Sequence, residues 1–360
     1  MDNHYTNNPF DFRINQVPFD ELIRHYERVH FLYSAKKQCI QPFFPLITDN
    51  WKKALKAGDK LLWVASSHRE KLKKMSTISL WRSTANGWVA QHLTSNAGPE
   101  YVRNILIGTQ LHAIENKYRA GQNWFQPSNK YANSIFGSIE QSIGSQYASV
   151  NTYGYFFLTK NLIMPDHSDV TIVKYQHNYQ KTLREFFDKT MGQVYMTTEE
   201  YDTDDIELSL INDCYKGYGL FRYRVIWLAF HPECADCPAG IIIAYRGPLG
   251  FNFSLMENRI ELILNKNLEK TKGVYVSSQL FKQAITAYSN HYPVNYIPLI
   301  ANMKTKSILT KLNIEFVRVY HKSSWINKGF EPWCRHIASF FNMLEKSLRP
   351  NKESEHWEKK

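Results

Sequence analysis

The 360-residue chain has no apolar run near the ~18–20 residues that a membrane-spanning helix needs. Its first residues, MDNHYTNNPFDF, are polar and lack the charged-then-apolar pattern of a secretion signal. Cysteine is scarce. Cys39, Cys214, Cys234, Cys237 and Cys334 are odd in number and irregularly spaced, which excludes a secreted disulfide frame. Cys234-Ala-Asp-Cys237 lies near His231, but no second pair exists and only the distant Cys214 can add a ligand. We read that stretch as a turn carrying thiols and expect no metal. P-loop, H-E-x-x-H and Ser-His-Asp patterns are missing, and the many tyrosines and tryptophans form no RNA-binding signature. These absences imply a soluble, cytoplasmic protein; an exported effector has the same features.

What is present argues for packed cores: 43% hydrophobic and 14% aromatic residues, in a chain long enough for two domains. The formal charge of +11, from 44 basic and 33 acidic residues, suits an anionic partner. One basic cluster, Lys71, Lys73 and Lys74 after Arg69, reads as a solvated face. The other is Lys266, Lys270 and Lys272.

The strongest signal is a repeat. Asn295–Tyr320 reads as strand, turn, short helix, strand, with Ile308, Leu309 and Leu312 on one helix side. The stretch from Asn123 to Leu158 has the same form. Asn129, Ser134, Ile135 and Ile139 match Asn302, Ser307, Ile308 and Leu312 in spacing. The flanks agree. LLWVASS, TISLWRS, WVAQHLTS and a helix from Glu100 to Tyr118 precede one copy; RVIWLAF, GIIIAYR, RIELILN and a helix from Ser277 to Asn290 precede the other. Each half is β-β-β-α-β-α-β after one or two helices. The halves fall at 1–165 and 166–349, with a seam at 165–169 and a charged tail at 350–360. Pro18 opens a helix carrying Phe19, Leu22, Ile23, Tyr26, Val29 and Leu32 or Tyr33, and a second helix runs over 49–57. Asn86-Gly87 predicts a type I′ hairpin. The stretch 199–207, with six acidic residues, reads as a helix start. The closing helix from Pro332 presents Ile337, Phe340, Phe341, Leu344 and Leu348 on one docking face.

This order resembles a tandem pair of the GNAT acyl-CoA N-acyltransferase superfamily. The resemblance implies an α/β (α+β) fold of two GNAT-like units, each a mixed, mostly antiparallel twisted sheet flanked by helices. It also implies transfer of an acyl group from acetyl-CoA or another acyl-CoA to an amine on a small molecule or protein, with one half active and the other structural. In the family the strand–helix–strand unit carries N, then A or S, then a tyrosine that often serves as general acid. Asn302, Ser307 and Leu312 match, whereas the tyrosine's place falls on Leu309, and on Ile135 or Phe136 in the first half. The missing donor supports an alternative, a degenerate tandem protein that binds without catalysis. A further alternative resembles the Fem-type aminoacyl transferases, for which the positive charge would suit a tRNA donor.

The third strand of the first half runs through Asn96-Ala-Gly98-Pro99 into a helix, a geometry whose free N–H groups hold anions. By the resemblance Asn96, Gly98 and Arg103 grip the CoA pyrophosphate; a plain helix N-terminus is the other reading. In the second half Lys266, Lys270, Lys272 and Gly273 occupy the corresponding loop. Asn129 and Asn302 complete the cofactor candidates. Acyl transfer needs a proton acceptor for the amine. His92, mid-strand with Trp88, Ala90 and Thr94 on its face by alternation, is the candidate, on either the cleft or the core. Glu261 is its counterpart in the second half.

Overall fold

The computed structural model describes residues 11–159, 169–234, 237–288 and 292–348. The expected seam at 165–169, except Asp169, and the tail at 350–360 lie outside the described residues. The first half runs β1 (Arg13–Ile14), α1 (Phe19–Arg28), α2 (Ser34–Ile40), α3 (Phe44–Lys56), β2 (Leu62–Arg69), β3 (Lys74–Arg82), β4 (Gly87–Ser95), α4 (Pro99–Glu115), β5 (Ala120–Phe125), α5 (Lys130–Phe136), α6 (Ile139–Ile143) and β6 (Ala148–Thr159). The second runs β7 (Thr171–Lys174), α7 (Gln180–Met191), α8 (Gln193–Thr198), α9 (Ser209–Lys216), β8 (Tyr223–Phe230), β9 (Gly240–Arg246), β10 (Ile260–Leu264), α10 (Lys270–Thr286), β11 (Tyr296–Asn302), α11 (Lys306–Lys311), β12 (Glu315–Ile326) and α12 (Phe330–Leu348).

All twelve strands join one sheet in the order β1-β2-β3-β4-β5-β12-β6-β11-β10-β9-β8-β7. Replacing each strand by its repeat partner reverses that order into itself, so the sheet carries an internal two-fold. Its axis passes through the antiparallel β6–β12 pair, which runs from Glu315 opposite Phe157 to Trp325 opposite Ala148. The final strands are exchanged: β12 pairs with β5 and β6 pairs with β11. Only β4–β5 and β10–β11 are parallel. Helices cover both faces. One face holds α1, α3 and α9 over Val89, Trp124 and Tyr320, with α7 and α8 over Ile241, Ile243 and Tyr245. The other holds α4 and α12 over Trp88, Ala90 and Trp325, and α10 over Ile242, Ala244 and Leu262. The fold is two α/β units of one topology in tandem, with a shared, mostly antiparallel sheet flanked by helices.

Several local expectations change in context. The first helix stops at Arg28, and His30 takes a left-handed φ of 56°, so Leu32 and Tyr33 leave it. The second starts earlier, at Phe44, with Pro45 in its first turn and Ile47, Trp51 and Ala54 buried. Neither Asn86 nor Gly87 has a positive φ, so the type I′ turn is not made. Instead the Glu200 carboxylate accepts from the Ala85 and Asn86 amides at 3.1 and 2.6 Å and holds a wider loop. Gly87 is needed for space, since a Cβ there would sit 2.6 Å from Thr84 Oγ1. The helix α10 begins at Lys270, not Ser277, because Val276, Leu280 and Phe281 continue its buried face back to Gly273. The docking face of α12 lies on α4 and α6.

The acidic stretch at 199–207 is the largest departure. Glu199 is buried, not a solvated helix start. It accepts from Lys322 Nζ at 2.5 Å, Arg259 at 3.3 Å and the Tyr245 hydroxyl at 3.1 Å, with Arg224 at 3.9 Å. Burial alone would raise its pKa, but Lys322 and Arg259 outweigh that and hold it down to about 2. Glu261 joins the same cluster through Arg259 and Tyr195, and there burial pushes the carboxyl up. The cluster ties the turn after α8 to β8, β9, β10 and the exchanged β12.

Lys322→Met would leave Glu199 short of its nearest cation, and breaking such a pair costs about 3–5 kcal/mol. Urea unfolding at pH 7 should show that loss. The Glu199 contribution is present above the unfolded carboxylate value, about 4.3, and fades as pH falls toward about 2. Unfolding measured from pH 5 to 2 should therefore have a shallower acid limb in Glu199→Gln than in the wild type.

Candidate functional site

The β4–β5 ladder is parallel from Gly87 opposite Ala120 to Ala90 opposite Asn123, and it ends there. The cause is on β4. Between the pairs Ser79–Gln91 and Thr77–Thr94, β4 carries one residue more than β3, a bulge at which His92 takes φ 55°. The two strands part beyond it. The opening, about 610 Å³, passes from one face of the sheet to the other. Phe31, Tyr33 and Lys36 line it on the α1–α2 side, and Ser128, Asn129 and Ala132 on the α5 side.

The bulge also reverses the face expected for His92. Trp88 and Ala90 point to the α4 core, whereas the His92 ring stacks on Phe253 at 4.3 Å and Trp51 at 6.0 Å, under the α1–α3 layer. Its Nε2 accepts from the Phe253 N–H at 3.3 Å. That places the ring proton on Nδ1, which is buried and has no partner among the described residues. Burial, with Lys36 nearby, holds the His92 pKa well below its ordinary value. The ring is therefore a neutral donor and a poor base.

Phe253 belongs to the second half. The segment linking β9 to β10 reaches over the first half and supplies Asn252, Phe253, Ser254 and Met256 to the cleft wall. It is fixed from several sides. The Asn50 side chain donates to Leu249 O at 3.0 Å and the Trp51 indole to Gly250 O at 2.7 Å. Gly250 has φ 84°, and a Cβ there would come 2.4 Å from Ile47, so only glycine fits under α3. The Glu257 carboxyl accepts from the Gly250 and Asn252 amides at 2.6 and 3.2 Å, and burial pushes it up to about 7. From β12, the Tyr320 hydroxyl donates to Ser254 Oγ at 2.9 Å. Gln91, next to His92, bonds the Phe251 carbonyl and accepts from Asn252 Nδ2 at 2.8 Å. The cleft thus needs both halves, and its lining contains no carboxylate.

The sequence-derived candidates fall in three places. His92 and Asn129 line the cleft; the Asn129 side chain caps α5 by accepting from Ala132 N at 3.2 Å. Asn302 does the same at the matching position, accepting from Lys304 N at 2.9 Å, so the repeated asparagine is a turn cap in both copies. Asn96, Gly98 and Arg103 surround the α4 N-terminus but face protein partners. Asn96 Oδ1 accepts from Met75 N, and Ser95 Oγ accepts from the Ala97 and Gly98 amides at 3.2 and 3.4 Å. Arg103 pairs with Glu345 of α12 at 2.9 Å. A shallow pocket there is lined by Arg69, Gly98, Glu100 and Glu345.

In the second half no comparable arrangement forms. The β9–β10 ladder keeps its register from Ala244–Ile260 to Gly240–Leu264. Lys270 and Lys272 lie on α10; Lys272 pairs with Glu269 at 3.5 Å, and Lys266 donates to the Lys189 carbonyl at 3.2 Å. Gly273 is buried in the helix, where a Cβ would meet Ile308 at 2.6 Å. Glu261 sits in the buried ion cluster, away from the cleft lining. Cys237 N donates to Cys234 O at 3.2 Å. Among the described residues no group of His, Cys, Asp and Glu is arranged to hold a metal, and no helix is long and apolar enough to cross a membrane.

Sequence reasoning missed Lys36, Ser254 and Tyr320. Only the aromatic density between Tyr26 and Tyr33 hinted that this loop meets a cleft.

Neither a family model nor a curated protein matches the sequence. Among solved structures, a tandem GNAT protein from the clavulanic acid biosynthesis pathway is similar at 11% identity, with 74% of this chain and 82% of that chain covered and a TM-score of 0.38. A putative acetyltransferase from Pyrococcus horikoshii is similar at 10% identity, over 90% and 92% of the two chains, with a TM-score of 0.44. A Drosophila protein is similar at 11% identity, over 88% and 99%, with a TM-score of 0.45. Scores this low decide nothing about chemistry. The tandem architecture stands on the strand order and repeat of this chain itself.

Proposed function

We propose that the chain is an N-acyltransferase, moving an acyl group from an acyl-CoA to an amine on a small molecule or protein, with the first half active and the second structural. The observation that carries this reading is the opening through the sheet at the β4 bulge, lined by His92, whose buried Nδ1–H lacks a partner among the described residues. Such an opening lets a thioester enter from one face and an amine from the other, which holds the reacting atoms together.

The residues fit the acyl and pantetheine arm of such a donor. Asn123, Gln126 and Ser128 offer polar contacts along the α5 side, and Phe136 adds an apolar one. The phosphates fit less well, because the amides at Ala97 and Gly98 already bond Ser95; Arg69 is the cation at that end. In the reaction the amine nitrogen bonds to the thioester carbon and the C–S bond breaks. His92 Nδ1–H donates to the carbonyl oxygen as negative charge grows there. This role differs from the base expected from its residue type, because the ring stays neutral and weakly basic. The amine gives its proton to water, and water returns one to the departing thiolate, so the protons balance without a side-chain acid. The satisfied amides and the glutamates beside the α4 N-terminus favour one other reading, a protein that holds an acyl-pantetheine-like ligand without transferring it.

Calorimetry with acetyl-CoA and longer acyl-CoAs tests binding. Ala132→Trp, which fills the α5 side, should weaken the preferred acyl-CoA by at least about tenfold, or about 1.4 kcal/mol; unchanged affinity would sink the assignment of this cleft. Thiol release then separates transfer from binding. His92→Phe keeps the ring stack but removes the donor, so kcat should fall by about 10²–10³ with acyl-CoA affinity kept within a few-fold. The wild-type rate profile should have no His92 inflection between pH 6 and 7.

A further inference from the structure

We infer that the α1–α2 mouth of the cleft recognises a carboxylate on the acceptor, with Lys36 and Arg318 as its two cations. The inference rests on the acyl-transfer reading of the same cleft and adds the class of acceptor.

The cleft lining contains no acidic residue, and Lys36 lies within it. On the same short helix Lys37 pairs with Glu27 at 2.6 Å, so an acid is at hand, but it serves the outward lysine. Lys36 is half-buried, with its Nζ 3.8 Å from the centre of the Phe31 ring, and no carboxylate among the described residues pairs with it. Phe31 itself lies 5.2 Å from the His92 ring, so this ammonium stands near the proposed reaction centre. Arg318 follows the β12 bulge after Phe316 and is also half-buried. The polar groups around its guanidinium are the phenols of Tyr33, Tyr155 and Tyr320, and no carboxylate among the described residues pairs with it. Lys36, Tyr33 and Tyr320 line the cleft, and Arg318, two residues before Tyr320 on the same face of β12, stands beside that mouth just outside the lining. The charged and titratable groups facing Lys36 are Arg318, His92 and Tyr33, whose ring centre lies 5.8 Å from Nζ, and burial with Arg318 pushes the lysine down to about 8.

Two cations without a counter-ion make a poor site for a polyamine or a lysine side chain. They suit an acceptor whose amine is accompanied by a carboxylate, which accepts charge-assisted hydrogen bonds from both. The same field disfavours an ammonium over a free amine. That helps explain how a site without a carboxylate base can receive a reactive nucleophile.

Calorimetry on the full chain at pH 8, in Tris and in triethanolamine, tests this. The probes are glycine, glutamate, phenylalanine and 4-aminobenzoate, each against its amide, with spermidine as the cationic contrast. At least one carboxylate should bind about tenfold or more tightly than its amide. It should take up protons, because the bound anion restores the Lys36 charge. Lys36→Met and Arg318→Met should each lose that preference, and Lys36→Arg should keep it without the proton uptake. Equal binding of acid and amide, binding unaffected by Lys36→Met, spermidine binding as tightly, or no binding by any carboxylate would overturn the inference. Acyl-CoA affinity of the same sample separates the two readings. Acyl-CoA binding without a carboxylate preference defeats the acceptor class alone, and carboxylate binding without acyl-CoA binding defeats acyl transfer alone.

Discussion

The exchange of the last strands is the constraint on which the rest depends. In a self-contained unit β6 would close against β5. Here β12 takes that place, and β6 and β12 pair with each other along the two-fold. Two consequences reach the cleft. The exchanged β12 brings Tyr320 to its wall and Lys322 to Glu199, and the close approach of the halves lets the segment before β10 lie over β4. A continuous sheet of twelve strands leaves no soft joint between the halves.

The two halves keep one topology and diverge in one local device. On β4 a single extra residue breaks the ladder, opens the sheet and turns His92 under the helices. On β10 the ladder runs on, and the space near α10 is taken by Ile308 against Gly273. The charges divide in the same way. Carboxylates gather with Arg224, Arg259 and Lys322 in a dry core, while the cleft keeps only cations and neutral donors. Under the acyl-transfer proposal, the cleft would act by positioning and by donation to an oxyanion, since its lining holds no carboxylate.

The architecture was readable because it is written twice. Strand alternation, helical spacing and the asparagine caps at Asn129 and Asn302 are local signals, and each recurs with its neighbours in order. The exchange was not readable, because β6 and β12 carry similar patterns and either satisfies β5 equally well in sequence terms. His92 was found as a residue, but its face depended on a left-handed φ that histidine seldom adopts. Glu199 looked solvated because its three cations come from β8, the residue before β10, and β12, none near it in the chain. The lysines at 266–272 looked like a phosphate loop until the buried face of α10 claimed Gly273. Lys36 is remarkable only beside Arg318, almost the whole length of the protein away.

The exchange also sets an order of events during synthesis. Strand β5 finds its antiparallel partner about 200 residues later, where Ser323 lies opposite Asn123. At roughly 5–20 residues per second, its edge waits on the order of 10–40 s on the ribosome with nothing native to pair with. A nascent first half therefore emerges as a sheet with a bare edge, open to capture by a chaperone or by another copy of itself. The cleft comes into being only when β12 threads between β5 and β6. A truncated message would yield no cleft, and premature chain release would produce an aggregation hazard in place of a partly formed site.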